Sequence, residues 1–413
     1  MKEVYIISTG EIVNGKTAGA RRIMNIARSL AALNVHVFLC SMADVQKAPV
    51  EVPEILPGVF FMRSLNLDIN AARRPLRFAR TVNRWIADRS TDMVIYLYPT
   101  TFVLKDFVYL TYFKYLKKRK FFCEVNELRT AIAFSAVPDG KLMSRLLQWL
   151  KSSFDFLKYK LSEFQIPLYD GIVVISTALE NRFSRSARKI LKVPILCDAD
   201  MIDDYLPAGL APDSPFSICF AGYIKVEKEG FDILFKALSK VNQTRRTELY
   251  LYGILEDQDR IKLDKLSDEF HLADKVFYMG NIDPEKLINE FRRYNLLILP
   301  RPLNRRTKHG FSTKLSEYLV SGVPVLATDV SDNALYIRDG IDGYLIPPGS
   351  APVMAEKILE IIGNYNQQAK AVAKNAYSTV RQELDYRLFS DDYSNFFWFP
   401  GDNSNNVRIM TLK

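Results

Sequence analysis

The chain of 413 residues is too long for one hydrophobic core, and its length predicts two domains. Its composition, with 48% hydrophobic and 25% charged residues, excludes a disordered, collagen-like or low-complexity protein. The net charge of +9 is compatible with binding to nucleic acid, to an anionic membrane or to an anionic substrate. The lack of a nucleic-acid-binding module or basic stripe argues against nucleic acid.

The N-terminal part of the chain alternates strand-like and helix-like patterns. The apolar run VYIIS leads through a glycine loop to the helical RRIMNIARSLAAL and then to VHVFLCS, with further strand patterns in MVIYLY, KFFCEV and GIVVIS. This alternation predicts parallel βαβ units. The first apolar run is too short for a signal peptide, and no run approaches the roughly 18 apolar residues of a membrane span. We therefore expect a cytoplasmic location, which includes the inner face of the membrane.

Two segments of this part, residues 104–122 and 141–164, are both basic and rich in apolar side chains. One interpretation of the second segment is a surface helix that packs its apolar side inward. The other is an interfacial helix that touches anionic lipid. We expect the first and keep the second open. The side chains expected to face inward are Leu146, Leu150, Phe154 and Leu157.

A second series of strands and helices begins near Phe216. SICFAGY, ELYLYG, KVFYMGN, LLILP, PVLAT and GYLIP have strand patterns, separated by helical patterns such as FDILFKALSKV and PEKLINEFRRY. Two such series predict two doubly wound parallel-sheet domains of the α/β class. We place these domains at 1–200 and 210–384, with residues 385–413 packing back onto the first.

No residue pattern predicts a metal site or a bound cofactor. The three histidines lack HxH or HExxH spacing. Asp198 and Asp200 form a D-x-D, a motif that elsewhere binds a metal and a nucleotide sugar, but here they lie at the expected domain junction and we interpret them as structural. The cysteines lack CxxC spacing, and three lie in strand patterns, so we expect buried thiols. They are Cys40, Cys123, Cys197 and Cys219.

Open parallel sheets bind ligands beyond the carboxyl ends of their strands, near helix N-termini that attract anions. The first such loop, TGEIVNGKTAGARR, carries three glycines, the last of them Gly19, and fits either a phosphate or a plain turn. The second, AGYIKVEKEGFDIL, carries Gly222, Lys225 and Lys228. Its lysines either bind a diphosphate or are ordinary solvated loop charges.

The third loop, RPLNRRTKHGFSTKLSEYLVSGVPVLATD, follows LLILP and is the most informative segment. A basic stretch leads to Gly310 and to Ser312 and Thr313, which are candidates for a helix cap. Glu317 lies about one turn into that helix. A carboxylate there can accept two ribose hydroxyls while the helix start faces phosphate, so the segment predicts a nucleoside diphosphate site.

The segment HGFSTKLSEYLVSGVPVLATDV resembles the donor-binding segment of the family 4 retaining glycosyltransferases. That family has the GT-B fold, in which two Rossmann-like domains face each other across a cleft. Glu317 falls on the second Glu of the family's pair, and His309 falls on the first. AGYIKVEKEGFDIL is similar to the family's G-R-L-x-x-x-K-G loop, LYGILED to its G-x-G strand end, and YMGNIDPEKL to the loop bordering the base.

The resemblance implies a metal-independent hexosyltransferase that moves a sugar from a nucleotide-diphosphate sugar to a glycan or lipid-linked acceptor. The resemblance implies a role in polysaccharide or glycolipid synthesis. Peripheral contact with an anionic membrane fits this role, and we expect no nucleic acid as a partner. The donor-binding residues that it implies are Gly19, Gly222, Lys225, Lys228, Gly253, Asn281, Arg301, Gly310, Phe311, Ser312, Thr313, Lys314 and Glu317.

The sequence departs from the family pattern in three places. His309 replaces a Glu, Tyr223 replaces an Arg that the family places near the diphosphate, and Lys228 is displaced by one residue relative to the glycine. These departures leave two alternatives open: a catalytically silent partner subunit and another GT-B sugar-nucleotide enzyme of the epimerase type. The candidates for the missing positive charge are Arg301, Lys225 and Lys314.

On the acceptor side the family often carries a His at the end of a strand. The corresponding stretch here is FFCEVNELR, with Asn126 at the place of the His. We predict Asn126, Glu127 and Arg129 as acceptor-side residues, and His309, Lys228 and Glu127 as the catalytic group. A surface or capping role is the alternative for Glu127.

Overall fold

The computed structural model describes residues 1–12, 17–44, 46, 51–63, 67, 70, 73–87, 89, 92–98, 103–133, 142–201, 209–211 and 213–399. The chain folds into two compact units. The first comprises Met1–Leu196 together with the described residues from Tyr386 onward, and the second is Cys197–Asp385.

The first unit is built on a sheet of strands that are buried except at its two edges. They are β1 (Glu3–Ser8), β2 (His36–Ser41), β3 (Glu54–Leu56), β4 (Val59–Phe61), β5 (Met93–Leu97), β6 (Lys120–Val125), β7 (Gly171–Val174) and β8 (Ile190–Lys192). Among the described residues these strands form one eight-stranded sheet in the order β3-β4-β2-β1-β5-β6-β7-β8. Every pair is parallel except β3 with β4.

Helices connect these strands and cover the sheet. They are α1 (Ala18–Ala31), α2 (Pro75–Ile86), α3 (Val103–Tyr109), which continues as a π-helix (Leu110–Leu116), α4 (Leu142–Phe164) and α5 (Thr177–Phe183). Thr17 caps α1 by accepting a hydrogen bond from the Ala20 N–H at 3.1 Å. The apolar stripe of α1 is buried, as an amphipathic helix on a sheet requires.

The second unit repeats this plan with a smaller sheet. Its strands are β9 (Phe216–Ala221), β10 (Thr247–Tyr252), β11 (Val276–Gly280), β12 (Leu296–Leu299), β13 (Val325–Thr328) and β14 (Tyr344–Ile346). Their order is β11-β10-β9-β12-β13-β14, and all pairs are parallel. The order turns back between β9 and β12, which places a topological switch point beside the end of β9.

The helices of the second unit include the two that frame the site described below. They are α6 (Val226–Glu229), α7 (Phe231–Val241), α8 (Asp257–Glu269), α9 (Pro284–Phe291), α10 (Arg305–His309), α11 (Thr313–Val320), α12 (Asn333–Tyr336) and α13 (Ala351–Glu383). The long α13 packs against α7 and α11.

After α13 the chain returns to the first unit, where it ends in α14 (Ser390–Trp398). Ser29 Oγ donates to the Tyr386 carbonyl at 2.7 Å. The Phe397 ring packs edge-on against Tyr96 and Phe122, with centroids 5.4 and 4.9 Å apart. Residues 386–399 are thereby part of the core of the first unit, while 400–413 lie outside the described residues.

Two predictions about side-chain burial have different outcomes. All four cysteines are buried free thiols, as predicted. The prediction that Leu146, Leu150, Phe154 and Leu157 face inward is wrong, because all four are exposed on α4. Within the described part of the chain, no helix combines the length and hydropathy needed to cross a bilayer.

Candidate functional site

Three segments of the second unit meet at the ends of β9 and β10. Gly222 and Gly253 follow these strands with φ of +139° and +117°, a backbone region that favours glycine. A Cβ atom on Gly253 would lie 2.0 Å from the Gly222 carbonyl oxygen. A Cβ on Gly222 would lie 2.2 Å from Cε of Lys314, which belongs to α11. The glycines at both predicted positions thus allow the strand ends and α11 to approach closely.

A buried carboxylate, Glu229, lies at the centre of this region. It ends α6, and its side chain is almost fully removed from solvent. Arg301 donates to it twice, from Nε at 3.1 Å and from Nη2 at 3.2 Å, and Lys314 Nζ donates at 3.0 Å. Lys228 Nζ lies 4.0 Å away. Three cations therefore converge on one carboxylate, which leaves the cluster with a surplus of positive charge.

The pKa values of the cluster reflect burial and mutual charge. Burial would raise the pKa of Glu229, but the neighbouring Arg301 and Lys314 outweigh it and hold that pKa far below its ordinary value. Burial lowers the pKa of Lys314, although Glu229 opposes the effect. The pKa of Lys228 falls to about 8, first because of burial and then because of repulsion by Arg301. The charge of Lys228 is therefore lost as the pH rises through about 8.

The segment from α10 to α11 borders the cluster. Gly310 ends α10 with its N–H bonded to the Arg306 carbonyl at 3.2 Å, and Phe311 is buried against Tyr336. Ser312 precedes α11, and its buried Oγ has no hydrogen-bond partner among the described residues. Thr313 begins α11, and the half-buried Glu317 follows one turn later.

His309 is held by its own helix. Its Nδ1 lies 2.8 Å from the Arg305 carbonyl oxygen. A carbonyl oxygen can only accept, so Nδ1 carries the proton in this contact, and the neutral ring then presents Nε2 as an acceptor. Asn304 caps the same helix by accepting from the N–H groups of Arg306 and Thr307, both at 2.9 Å. The contact with Arg305 and the cap at Asn304 therefore hold the His309 ring in position.

Lys225 belongs to a separate network. Its Nζ pairs with Glu256 at 2.6 Å and with Asp259 at 2.9 Å. Burial opposes the charge of Lys225, but these two hydrogen bonds outweigh it and raise the pKa of its ammonium. The Tyr223 hydroxyl donates to Glu256. Of the three candidates for the missing charge, Arg301 and Lys314 therefore join the Glu229 cluster and Lys225 does not.

Asn281 and the pair Asp198 and Asp200 complete the positions of the second unit that the sequence analysis singled out. Asn281 directly follows β11 and is exposed. Asp198 accepts from the Asp200 N–H at 3.1 Å, which is a local turn contact, and Asp200 lies 3.9 Å from Arg381. In the described part of the chain, no three His, Cys, Asp or Glu side chains are grouped as metal ligands would be.

In the first unit, the strand ends bring Gly19 and Asn126 to the same tyrosine. Tyr98 follows β5, and a Cβ on Gly19 would lie 3.3 Å from its hydroxyl. Asn126 Nδ2 donates to that hydroxyl at 3.0 Å. Glu124, two residues earlier and buried in β6, is instead neutralised by Arg22 at 2.5 Å. Glu124 therefore supports the core, whereas Asn126 is positioned at its edge.

A small pocket in the first unit gathers the three acceptor-side residues. Asn126, Glu127 and Arg129 line it together with Asp106 and Glu163. Arg129 Nη1 pairs with Asp106 at 3.3 Å. Burial opposes ionisation of Glu163, but hydrogen bonds from Thr130, Lys160 and Arg182 lower its pKa. The pocket therefore brings charged side chains of both signs together.

Sequence reasoning missed two functional candidates, Glu229 and Tyr98. The sequence VEKEG gives Glu229 the pattern of a solvated loop charge, and only the glycine after it indicates a tight turn. Tyr98 was included in a strand pattern. Its position just beyond β5, where parallel sheets bind ligands, was the available signal.

Comparisons with known proteins agree with these features. Residues 202–379 match the family model described as Glycosyl transferases group 1. The chain is 27% identical over 194 residues to the UDP-N-acetylglucosamine–peptide N-acetylglucosaminyltransferase GtfA subunit of Streptococcus gordonii, covering 45% of this chain and 36% of that protein. It is 22% identical over 167 residues to the phosphatidyl-myo-inositol mannosyltransferase of Mycobacterium leprae, covering 40% and 42%. The match thus spans less than half the length of these curated relatives.

Solved structures match over nearly the whole chain. Sucrose-phosphate synthase from Thermosynechococcus elongatus superposes with a TM-score of 0.68 at 17% identity, covering 96% of this chain and 98% of that one. Anabaena Alr3699/HepE in complex with UDP and glucose superposes with a TM-score of 0.64 at 15% identity, covering 96% and 99%. At such identities the likeness shows the fold, and the predicted fold class is confirmed.

Proposed function

We propose that the chain moves a sugar from a nucleotide-diphosphate sugar onto an acceptor hydroxyl, because it has the GT-B fold and its residues 202–379 match the family model described as Glycosyl transferases group 1. The observation that carries the proposal is the convergence of Arg301, Lys314 and Lys228 on Glu229. It holds fixed positive charge beside the start of α11, where a leaving diphosphate is best stabilised.

In the proposed donor complex, Glu317 accepts the ribose hydroxyls and Lys228 faces the diphosphate. The Oγ of Ser312, which has no hydrogen-bond partner in the described part of the chain, and the first N–H groups of α11 can donate to the phosphate oxygens. These groups supply the neutralisation that a divalent metal supplies in other sugar transferases, so we propose that turnover is independent of metal.

The proposed transfer retains the anomeric configuration. The bond between the anomeric carbon and the diphosphate oxygen breaks, and the acceptor oxygen bonds to the same face of that carbon. The departing phosphate oxygen takes the proton of the acceptor hydroxyl. The protein's own contribution is orientation and charge: Lys228 stabilises the diphosphate, and the acceptor nitrogen Nε2 of His309 holds a sugar hydroxyl in position.

The pocket lined by Asn126, Glu127 and Arg129 is the proposed acceptor side. We propose a glycan or lipid-linked acceptor, within polysaccharide or glycolipid synthesis. The Mycobacterium leprae relative is named as a phosphatidyl-myo-inositol mannosyltransferase, which supports this class. A second candidate is a partner subunit that binds donor without turning it over. The replacement of a family Glu by His309 favours that candidate.

Calorimetric titration with UDP, GDP and ADP tests the proposal, with Mg²⁺ in one series and EDTA in the other. We expect micromolar binding of one nucleotide that is the same in both series. Glu317→Gln should abolish this binding, whereas Glu269→Gln, on the exposed end of α8, should leave it unchanged. Failure of all three nucleotides to bind would contradict the proposal. Binding without release of nucleotide from any nucleotide sugar would favour the silent subunit.

A further inference from the structure

Helix α4 carries its apolar stripe on the outside. At 100° per residue, seven apolar side chains fall within an arc of about 100° along the whole helix. Their exposed fractions lie between 50% and 70%. They form what we name the α4 stripe: Leu146, Leu147, Leu150, Phe154, Leu157, Leu161 and Phe164. Trp149, at the margin of the stripe, is exposed as well.

The polar side of α4 holds the helix to the first unit. Ser152 is buried, and Glu163 accepts from Thr130 at 2.7 Å and from Arg182 at 2.8 Å. The amphipathicity of α4 is therefore the reverse of a helix that covers a core. Such a long exposed apolar surface marks an interaction site in a folded protein.

Lysines flank the α4 stripe. On the same helical projection, Lys151 and Lys158 lie along one margin and Lys160 along the other. Lys158 pairs with Asp155 at 3.3 Å and Lys160 with Glu163 at 2.9 Å. The neighbouring helix α3 packs against α4 and exposes Leu104 and Phe107. Segments 104–122 and 142–164 together contain ten Lys and Arg and three Asp and Glu, so they account for most of the chain's net charge of +9.

We propose that the α4 stripe docks on an anionic membrane surface, with the helix lying in the plane of the interface. The stripe would enter the boundary between headgroups and acyl chains while the flanking lysines reach anionic headgroups. Charge favours this occupant over a second copy of the chain, because two copies would place like charges opposite each other.

Docking through α4 also bears on the acceptor. Ser162, Glu163 and Gln165, at the C-terminal end of α4, line the same pocket as Asn126 and Glu127. The pocket would then open next to the headgroup layer, and its acceptor would be a glycan or hydroxyl carried by a lipid. This last step rests on the proposed function, whereas docking itself does not.

Flotation with phosphatidylcholine vesicles, with and without phosphatidylglycerol, tests the docking. We expect the full chain to float only with the anionic vesicles, and less at high salt. Leu157→Gln should weaken the partition about fivefold and the triple variant Leu150→Gln, Phe154→Gln, Leu157→Gln at least about tenfold, since each removes apolar groups from the lipid boundary. Ile261→Gln, on α8 of the second unit, is the matched control, because Ile261 is 61% exposed and Leu157 is 60% exposed.

Tryptophan fluorescence gives an independent readout. Trp149 should shift to shorter wavelength on vesicle binding, and Trp149→Phe should remove that shift while flotation continues. Equal flotation of the triple variant and the parent, or no flotation with anionic vesicles at low salt, overturns the proposal. Concentration-dependent dimers that Leu157→Gln disrupts would assign the stripe to a second copy instead. Calorimetric titration of the triple variant with nucleotide tests the proposed donor site separately. Loss of flotation with unchanged nucleotide binding assigns the effect to the α4 stripe alone.

Discussion

Lys314 lies across the end of strand β9 so closely that a Cβ atom on Gly222 would be 2.2 Å from its Cε. The same lysine donates to the buried Glu229 at 3.0 Å, so its side chain cannot swing away without breaking an ion pair. The bare backbone at residue 222 is therefore a condition for the charge arrangement of the site. A glycine follows this buried strand because any side chain at residue 222 would clash with Lys314.

We expect Gly222→Ala to weaken nucleoside diphosphate binding and to lower the free energy of unfolding by about 1–3 kcal/mol, since it adds a clash and a strained φ. Calorimetry and urea denaturation measure the two effects. Gly349→Ala is the control, because Gly349 also has a positive φ but has open space around its Cβ position. If both variants lose the same stability and neither loses affinity, Gly222 has no role in placing Lys314.

Glu229→Gln removes the carboxylate that three cations share. We expect a loss of about 3–5 kcal/mol in the free energy of unfolding, because buried cations are left without their counter-ion. Glu227→Gln, two residues earlier and exposed, should change stability by less than about 0.5 kcal/mol. Denaturation of both variants by urea measures the difference. Equal stability of the two variants would show that the cluster is solvated and contributes nothing.

The Glu229 cluster also predicts an acid dependence. Folding lowers the pKa of Glu229 below its ordinary value of 4.5, so its stabilising contribution is complete above that value and is lost as the pH falls below it. The free energy of unfolding of the parent should therefore fall between about pH 5 and pH 3 more steeply than that of Glu229→Gln. Urea titrations across this range test the slope, and parallel slopes would contradict the assigned shift.

The architecture was readable from the sequence, whereas the direction of side chains was not. The βαβ alternation and the post-strand glycines Gly222 and Gly253 predict where parallel strands end, because backbone geometry leaves few residue types there. Glu229 was missed because a carboxylate in a charged loop has the same local pattern whether it is solvated or buried. The orientation of α4 was wrong because periodicity shows that a helix has an apolar side without showing what covers it.

Lys228 predicts how binding depends on alkaline pH. Its pKa of about 8 means that its charge is lost as the pH rises through that value, and a diphosphate binds the charged form. Affinity for the nucleoside diphosphate should therefore fall between about pH 7 and pH 9, by up to about tenfold per unit above the pKa. Lys228→Met should bind at least about tenfold more weakly at pH 7, given about 1.5–3 kcal/mol for a hydrogen bond to a charged group. Its affinity should no longer vary over that range.

Lys308→Met is the control for that experiment, since Lys308 is exposed in the neighbouring α10. Its affinity and pH profile should match those of the parent. A parent profile that stays flat from pH 7 to pH 9 would exclude Lys228 from contact with the diphosphate.

His309 separates donor binding from turnover. Its Nδ1 lies 2.8 Å from the Arg305 carbonyl oxygen, and in the proposed complex Nε2 faces the sugar while Glu317 and Lys228 hold the nucleotide. We expect His309→Ala to lower kcat about tenfold or more while nucleoside diphosphate affinity stays within about twofold, since an interaction made only with the transferred sugar is lost. Nucleotide release in steady state gives kcat, and calorimetry gives the affinity. His271→Ala, at a turn after α8, should leave both unchanged. A loss of affinity in His309→Ala equal to its loss of turnover would place the ring at the nucleotide instead of the sugar.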